Sequence, residues 1–387
     1  MNNMLRDGHP SHPMRSVLRW VSYLLLLVLL LFGGSVTLSN TLAVALSSHL
    51  GFILATTGAF VTLSIFLAAY WFIIPHQKSN KMLLVAGFVW GGAASAGVSM
   101  FINGMNVVAS ETVSMTIVAP IAEELTKAIF IVFILQRYRV FFLSTMDAII
   151  IGGSIGLGFA FIENINYYFA AFSGFDLTSG ESLSKSGTSE PLTSLLARTG
   201  SGLVHPFFTT ITLLFVLRAL REKILINRLA IGSFGLSLAM VLHGLWNLNA
   251  VADFTKVTHT IISVVFAAGV ATLVSFSVNT WGSENKEWKR ALGDLVSLGV
   301  LTENDANICK SAKNQKQFRR FALRYGGEMG LRDAKRLQCG VIGLTRWYIY
   351  SCYIMRLDRA IIANEGVDEK MGKLRGRVLY MNSELVQ

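Results

Sequence analysis

The stretch APIAEELTKAIFIVF, residues 119–133, has the apolar density of a membrane-crossing helix, yet it contains Glu123, Glu124 and Lys127. An ionisable side chain in hydrocarbon costs roughly 2.5 to 3.5 kcal/mol on insertion scales, so each one needs a partner or a purpose. Glu123 and Lys127 are four residues apart and Glu124 and Lys127 three apart. On a helix that spacing sets all three on one side and lets the ammonium neutralise a carboxylate.

The chain around this stretch is of the same kind. Of its 387 residues 52% are hydrophobic and 15% charged, and the mean hydropathy is +0.52. That composition excludes a soluble globular protein. Apolar runs long enough to cross about 30 Å of hydrocarbon as helix occur near 17–38, 51–74, 82–103, 113–135, 143–168, 200–221, 228–250 and 259–281. The expected fold is all-α and polytopic, with about eight transmembrane helices in residues 1–282 and a small basic helical cytoplasmic domain in 283–387.

Orientation follows from Lys and Arg, which stay on the cytoplasmic side when they lie in short loops. Arg6, Arg15 and Arg19 precede the first span, Lys78 and Lys81 the third, Arg137 and Arg139 the fifth, and Arg218, Arg221, Lys223 and Arg228 the seventh. The alternate loops 39–50 and 104–112 have none, and the polar, Ser/Gly-rich loop at 173–199 has few. Both termini are therefore expected in the cytoplasm, with Trp20, Trp71 and Trp281 as interfacial aromatics. The first apolar run is too long for a signal-peptide core and reads as an uncleaved anchor.

The net charge of +11 falls mostly on the cytoplasmic segments, where the lipid bilayer offers anionic headgroups to a basic tail. No nucleic-acid motif accompanies it. All three cysteines, Cys309, Cys339 and Cys352, lie in the tail without metal-ligand spacing, as reduced thiols do. Within the tail, TENDANICKSAKNQKQFRRFALRY predicts a helix capped by Thr302 and then a basic amphipathic one. CGVIGLTRWYIYSCYIM, residues 339–355, is too short and too interrupted by Arg346 for a ninth span, and reads as a core or interfacial helix.

Few other polar groups enter the spans. They are Asp147 and Glu163 in the fifth, His205 in the sixth, and His243 with Asn247 in the seventh. Asp147, near the cytoplasmic end, is expected to be solvated or to snorkel. Counted at 1.5 Å per residue, Glu123, Glu163, His205 and His243 all fall between the middle of the bilayer and its outer surface. Pro120 and Pro206, three residues before Glu123 and directly after His205, are expected to bend their helices and free carbonyls for water in an outer-side cavity. A Glu–Lys pair can merely staple helices, and a lone His can make one interhelical bond. The conjunction at one depth on four helices is what points to function.

Carboxylate and imidazole beside water are the material of hydrolysis, in which Glu takes a proton from water and His or Asn steadies a developing oxyanion. The chain has no H-E-x-x-H and no cysteine in a span. In this order EELTK matches E-E-x-x-K, FAFIEN matches F-x-x-x-E-N, VHPFFT a third histidine motif and HGLWN the H-x-x-x-[ND] motif. Over roughly residues 80–250 the chain resembles the PrsW family of bacterial intramembrane proteases. That family looks related to the CAAX prenyl proteases of the CPBP (Abi) superfamily, which share an eight-helix core.

The resemblance implies that Glu123 is the water-activating base and Glu124 its partner. It places Glu163 at the position that histidine fills in the CAAX enzymes. It assigns His243 and Asn247 to water or the oxyanion and makes His205 a site residue, with Lys127, Phe159, Asn164 and Trp246 in support. The family is described both as glutamate proteases and as metalloproteases. The cofactor is therefore none or a divalent metal such as zinc, for which Glu123, Glu163, His205 and His243 are candidates. The implied substrate is a single-pass membrane protein cut on its outer side, such as an anti-sigma factor. A proton-coupled transporter and a non-catalytic membrane sensor or scaffold are the alternatives, since Glu, His and Lys in spans also build relays.

Overall fold

The structure is a computed structural model and describes residues 13–73, 81–105, 110–137, 144–173, 202–222, 224–252 and 254–353. The long polar loop expected before the sixth span and the last residues of the tail lie outside these. Every described element is helical. Each of the eight apolar runs appears as a helical segment: α1 (Pro13–Ser47), α2 (His49–Ile73), α3 and α4 (Lys81–Val89 and Ala96–Gly104, joined by a π-helical turn Trp90–Ser95), α5 and α6 (Glu111–Val113 and Ala119–Arg137, joined by a π-helical turn Ser114–Val118), α7 (Thr145–Ser173), α8 (Val204–Leu220), α9 (Leu225–Val251) and α10 (Lys256–Ser297).

Six of these segments are long and apolar enough to cross a membrane. The two that are not are α8, which is apolar but has 17 residues, and α6, which carries Glu123, Glu124 and Lys127. Both of these helices bring charged or imidazole groups to the site.

Helix α7 is the axis of the assembly. Its apolar span is 78% buried within the protein, against 11% for those of α1, α9 and α10. Glycines let neighbours close on it, as small residues do where helices pack without a hydrophobic drive. A Cβ at Gly156 would collide with the backbone of His205 and Pro206, so α8 lies directly on α7 at the residue that matters most to it.

The two prolines act differently from the expected pair of kinks. Pro206 is the third residue of α8, in the first turn. There its missing N–H costs nothing, so it starts a helix instead of bending one. Pro120 stands two residues after the π turn Ser114–Val118, where the hydrogen-bond ladder is already displaced by one residue.

Beyond the expected domain boundary at 282, α10 continues unbroken to Ser297. Thr302 then caps α11 (Glu303–Cys309) in a reciprocal box with Asp305, as its sequence predicts. The last described helix, α12 (Ala312–Tyr353), folds back on itself at Gly327, whose φ is +59°. The turn brings the Gln338 side chain to donate to the Gln315 carbonyl at 3.0 Å. Trp288, Leu292 and Leu295 of α10, Ile308 and Cys309 of α11, and Val341, Leu344 and Tyr348 of α12 form one apolar core. The apolar segment from 339 thus packs among the helices that follow the last span.

Asp147 corrects the sequence reading. It is 1% exposed, neither solvated nor snorkelling. Its Oδ2 accepts from Arg346 Nη2 at 2.6 Å, 199 residues along the chain. The same carboxylate accepts from the Ser144 N–H at 3.2 Å while the Asp147 N–H donates to Ser144 Oγ at 3.0 Å, capping the N-terminus of α7. Glu284 of α10 accepts from the Met146 N–H at 3.1 Å. The tail is fastened to the membrane domain at the root of its central helix.

Candidate active site

Four helices converge on one buried polar cluster. Helix α6 brings Glu123, Glu124 and Lys127, α7 brings Phe159 and Glu163, α8 brings His205 and Phe208, and α9 brings His243. The i, i+4 spacing in EELTK does what helical geometry requires, presenting the carboxylates and the ammonium on the face turned to α8 and α9.

Lys127 is the centre of the cluster and is fully buried. Its Nζ donates to Glu124 Oε1 at 2.7 Å and lies 3.9 Å from Glu123 Oε2. It also lies 3.4 Å from His205 Nδ1 and 3.9 Å from the centroid of the Phe159 ring, a cation over an aromatic face. Phe159 in turn packs on the imidazole of His205, ring to ring at 5.1 Å. Its supporting place in the motif is thus physical: it seats the lysine and one histidine together.

The histidines are held from behind. His243 Nδ1 meets Glu124 Oε1 at 3.1 Å, leaving Nε2 directed toward Glu123 Oε2 at 3.6 Å. A carboxylate on one imidazole nitrogen that frees the other for a ligand is the usual support of a metal-binding histidine. His205 Nε2 meets Glu163 Oε2 at 2.6 Å. The two imidazoles lie edge to face at 5.0 Å, and Phe208 stacks on His243 at 4.9 Å. Phe208 was not singled out from the sequence, although it stands three residues after His205 and so shares its face.

Of the carboxylates, Glu124 is pinned by both Lys127 and His243 and its side chain is 1% exposed, whereas that of Glu163 is 20% exposed. Glu124 is thus held from two sides, and Glu163 is the most exposed of the three carboxylates. Ligand atoms of Glu123, His205 and His243 all lie within 4.8 Å of one another, the one such group among the described residues. One carboxylate and two imidazoles suit zinc and its neighbours, so the donor set fits a divalent metal.

The other expected residues stand further out. Asn164 is buried, and as the next residue after Glu163 it is turned about 100° round the helix. Trp246 packs edge-on against Phe266 of α10 at 5.2 Å, part of the wall behind Phe208. Asn247 donates from Nδ2 to the Met115 carbonyl at 2.9 Å, which ties α9 to the π turn that precedes Glu123.

Buried carboxylates and imidazoles shared among four membrane helices define a polytopic intramembrane hydrolase. Residues 79–275, just over half of the chain, match the model of the PrsW family intramembrane metalloproteases, and the chain belongs to that family. It is thus an intramembrane peptidase. No curated protein and no solved structure matches the chain.

Proposed function

We propose that the chain is an endopeptidase of the bacterial cytoplasmic membrane, with both termini in the cytoplasm, that uses a divalent metal such as zinc. On this reading it cuts a single-pass membrane protein, of the anti-sigma-factor kind, toward its outer side. The observation that carries the mechanism is the charge and donor content of the cluster. Glu123 and Glu124 share the ammonium of Lys127, and Glu163 meets His205, in a mostly buried space. Buried charge is tolerated only when compensated, and a divalent cation held by Glu123, His205 and His243 supplies what Lys127 leaves over.

The metal, when bound, polarises a peptide carbonyl and makes its water acidic enough to attack at neutral pH. The chain's own residues do the rest. Glu124 holds His243 by Nδ1 and Lys127 holds Glu124, so one imidazole is fixed in orientation. Either Glu163 or Lys127 gives way for His205 to act as a ligand, since both of its nitrogens are engaged. Glu163, the most exposed of the three carboxylates, takes the proton of the attacking water and passes it to the leaving amine. The resemblance assigned the base to Glu123, but Glu123 lies in the donor set, and Glu163 is the more exposed carboxylate beside it.

The outward direction is supported by position. His205 is the second residue of α8, while Glu163 and His243 lie in the second halves of α7 and α9. All three are thus displaced toward the helix ends opposite the basic loops. On the other side, Arg320 and Arg324 accompany the exposed Phe321, Tyr325 and Met329. That mixture suits the anionic inner leaflet.

Fragment profiling of membrane proteins by mass spectrometry tests this reading. Cells making the wild type should show juxtamembrane products cut on the outer side that are missing with Glu163→Gln and Glu123→Ala. Proton flux in liposomes that depends on Glu163, with no proteolysis in cells or in vitro, would instead mean a transporter.

A further inference from the structure

We infer that Asn247 is a positioning residue that sets the helical phase of Glu123, and that it does not act on the reacting atoms. The π turn Ser114–Val118 leads into the helix that carries Glu123. The Ala119 N–H donates to the Ser114 carbonyl, five residues back. The next bond of such a ladder would run from residue 120 to the Met115 carbonyl, but residue 120 is proline and has no N–H. The Met115 carbonyl is left without a main-chain donor, in a setting where an unmade bond is costly. A carbonyl freed by proline in a span takes its donor from water or from protein. The protein itself supplies the donor, Asn247 Nδ2 at 2.9 Å.

The other residues of HGLWN fit this role. Gly244 lies where the Thr116 carbonyl approaches α9, and a Cβ at 244 would collide with it. Glycine permits the contact, Asn247 fastens it one turn on, and His243 of the same helix faces Glu123. The spacing H-x-x-x-N thus serves two carbonyl-level contacts and one imidazole.

Without Asn247 the cheapest repair is local. Met115 can accept from the Ala119 N–H, four residues back, once the π turn closes into an ordinary α turn. Removing that one extra residue rotates α6 by about 100° relative to the segment before it. Glu123, three residues past Pro120, is then carried off His243. In this way Asn247 selects which side of α6 faces the site.

The inference rests on Glu123 and His243 being working partners, but its test needs neither metal nor cleavage. In full-length protein with Cys309, Cys339 and Cys352 changed to serine, Glu123→Cys and His243→Cys are introduced and bridged with dibromobimane, which fluoresces once it joins two thiols. Asn247→Leu should lower bridging about tenfold, the scale of a lost buried hydrogen bond. Adding Pro120→Ala restores a donor for Met115 and should return bridging to within about twofold of the starting value. An unchanged signal in Asn247→Leu overturns the inference. So does a loss that Pro120→Ala does not repair. If Asn247→Leu alone fails to accumulate in the membrane, the double variant should still accumulate and bridge, and its failure also counts against the inference. An oxyanion role for Asn247 predicts no rescue by Pro120→Ala.

Discussion

At the scale of single residues, the buried lysine explains why a membrane helix tolerates two adjacent glutamates. Lys127 contacts both carboxylates of its own helix, one imidazole and one aromatic face. Lys127→Ala should destabilise the protein by about 3 to 5 kcal/mol, the usual cost of stripping a buried charge of its partner. Unfolding in a denaturing detergent series would read this, with an unchanged midpoint as the contrary result. Glu163→Gln should behave in the opposite way, folding normally while cleavage falls at least about a hundredfold, the scale of a lost general base. The residues of this cluster were legible in the sequence because charge is rare in spans and i, i+4 spacing is rigid. Phe208 was not, because one phenylalanine among 25 carries no mark of its own. Only the face it shares with His205 could have singled it out.

At the scale of elements, the site depends on how closely α8 lies on α7. Gly156 has the backbone of His205 and Pro206 where its side chain would be. Gly156→Leu should push the helices apart and separate Glu163 from His205, abolishing cleavage and costing about 1 to 3 kcal/mol or more by overpacking. A variant of normal stability and activity would refute the close contact. The eight apolar runs announced their helices well, since hydrophobic length is a strong signal. Helix irregularity was the weaker reading. A proline in an apolar run looks the same whether it bends a helix, starts one like Pro206, or follows a π turn like Pro120. Those cases differ by which carbonyl is orphaned and what donor a distant helix can offer, and neither is a local property.

At the scale of the molecule, the tail and the membrane domain share a buried ion pair. Arg346 and Asp147 are 199 residues apart, and neither carries a local sign of the other. The sequence placed Asp147 near the start of its span, but not under a helix that covers it. Arg346→Leu should leave Asp147 buried without its cation, weakening the attachment of residues 283–353 and raising their cleavage by added protease in opened membranes. Arg346→Leu combined with Asp147→Leu should recover most of the protection, because an apolar pair of similar size is often as stable as the ion pair it replaces. Equal sensitivity of the single and double variants would show that the pair is not what holds the tail. The pair sits at the N-terminus of the helix that carries Glu163, so the tail is mechanically continuous with the site through one uninterrupted helix, α7.

The central claim is that Glu123, His205 and His243 hold a divalent metal on which peptide cleavage depends. Its most direct measurement is the metal content of full-length protein, purified in detergent, loaded with zinc, desalted and analysed by inductively coupled plasma mass spectrometry. Wild type and Glu163→Gln should each retain about one zinc per chain, while Glu123→Ala and His243→Ala retain almost none, and only the wild type should cleave. A chain that cleaves with no bound metal, or that keeps its zinc when Glu123 and His243 are both removed, would contradict the account.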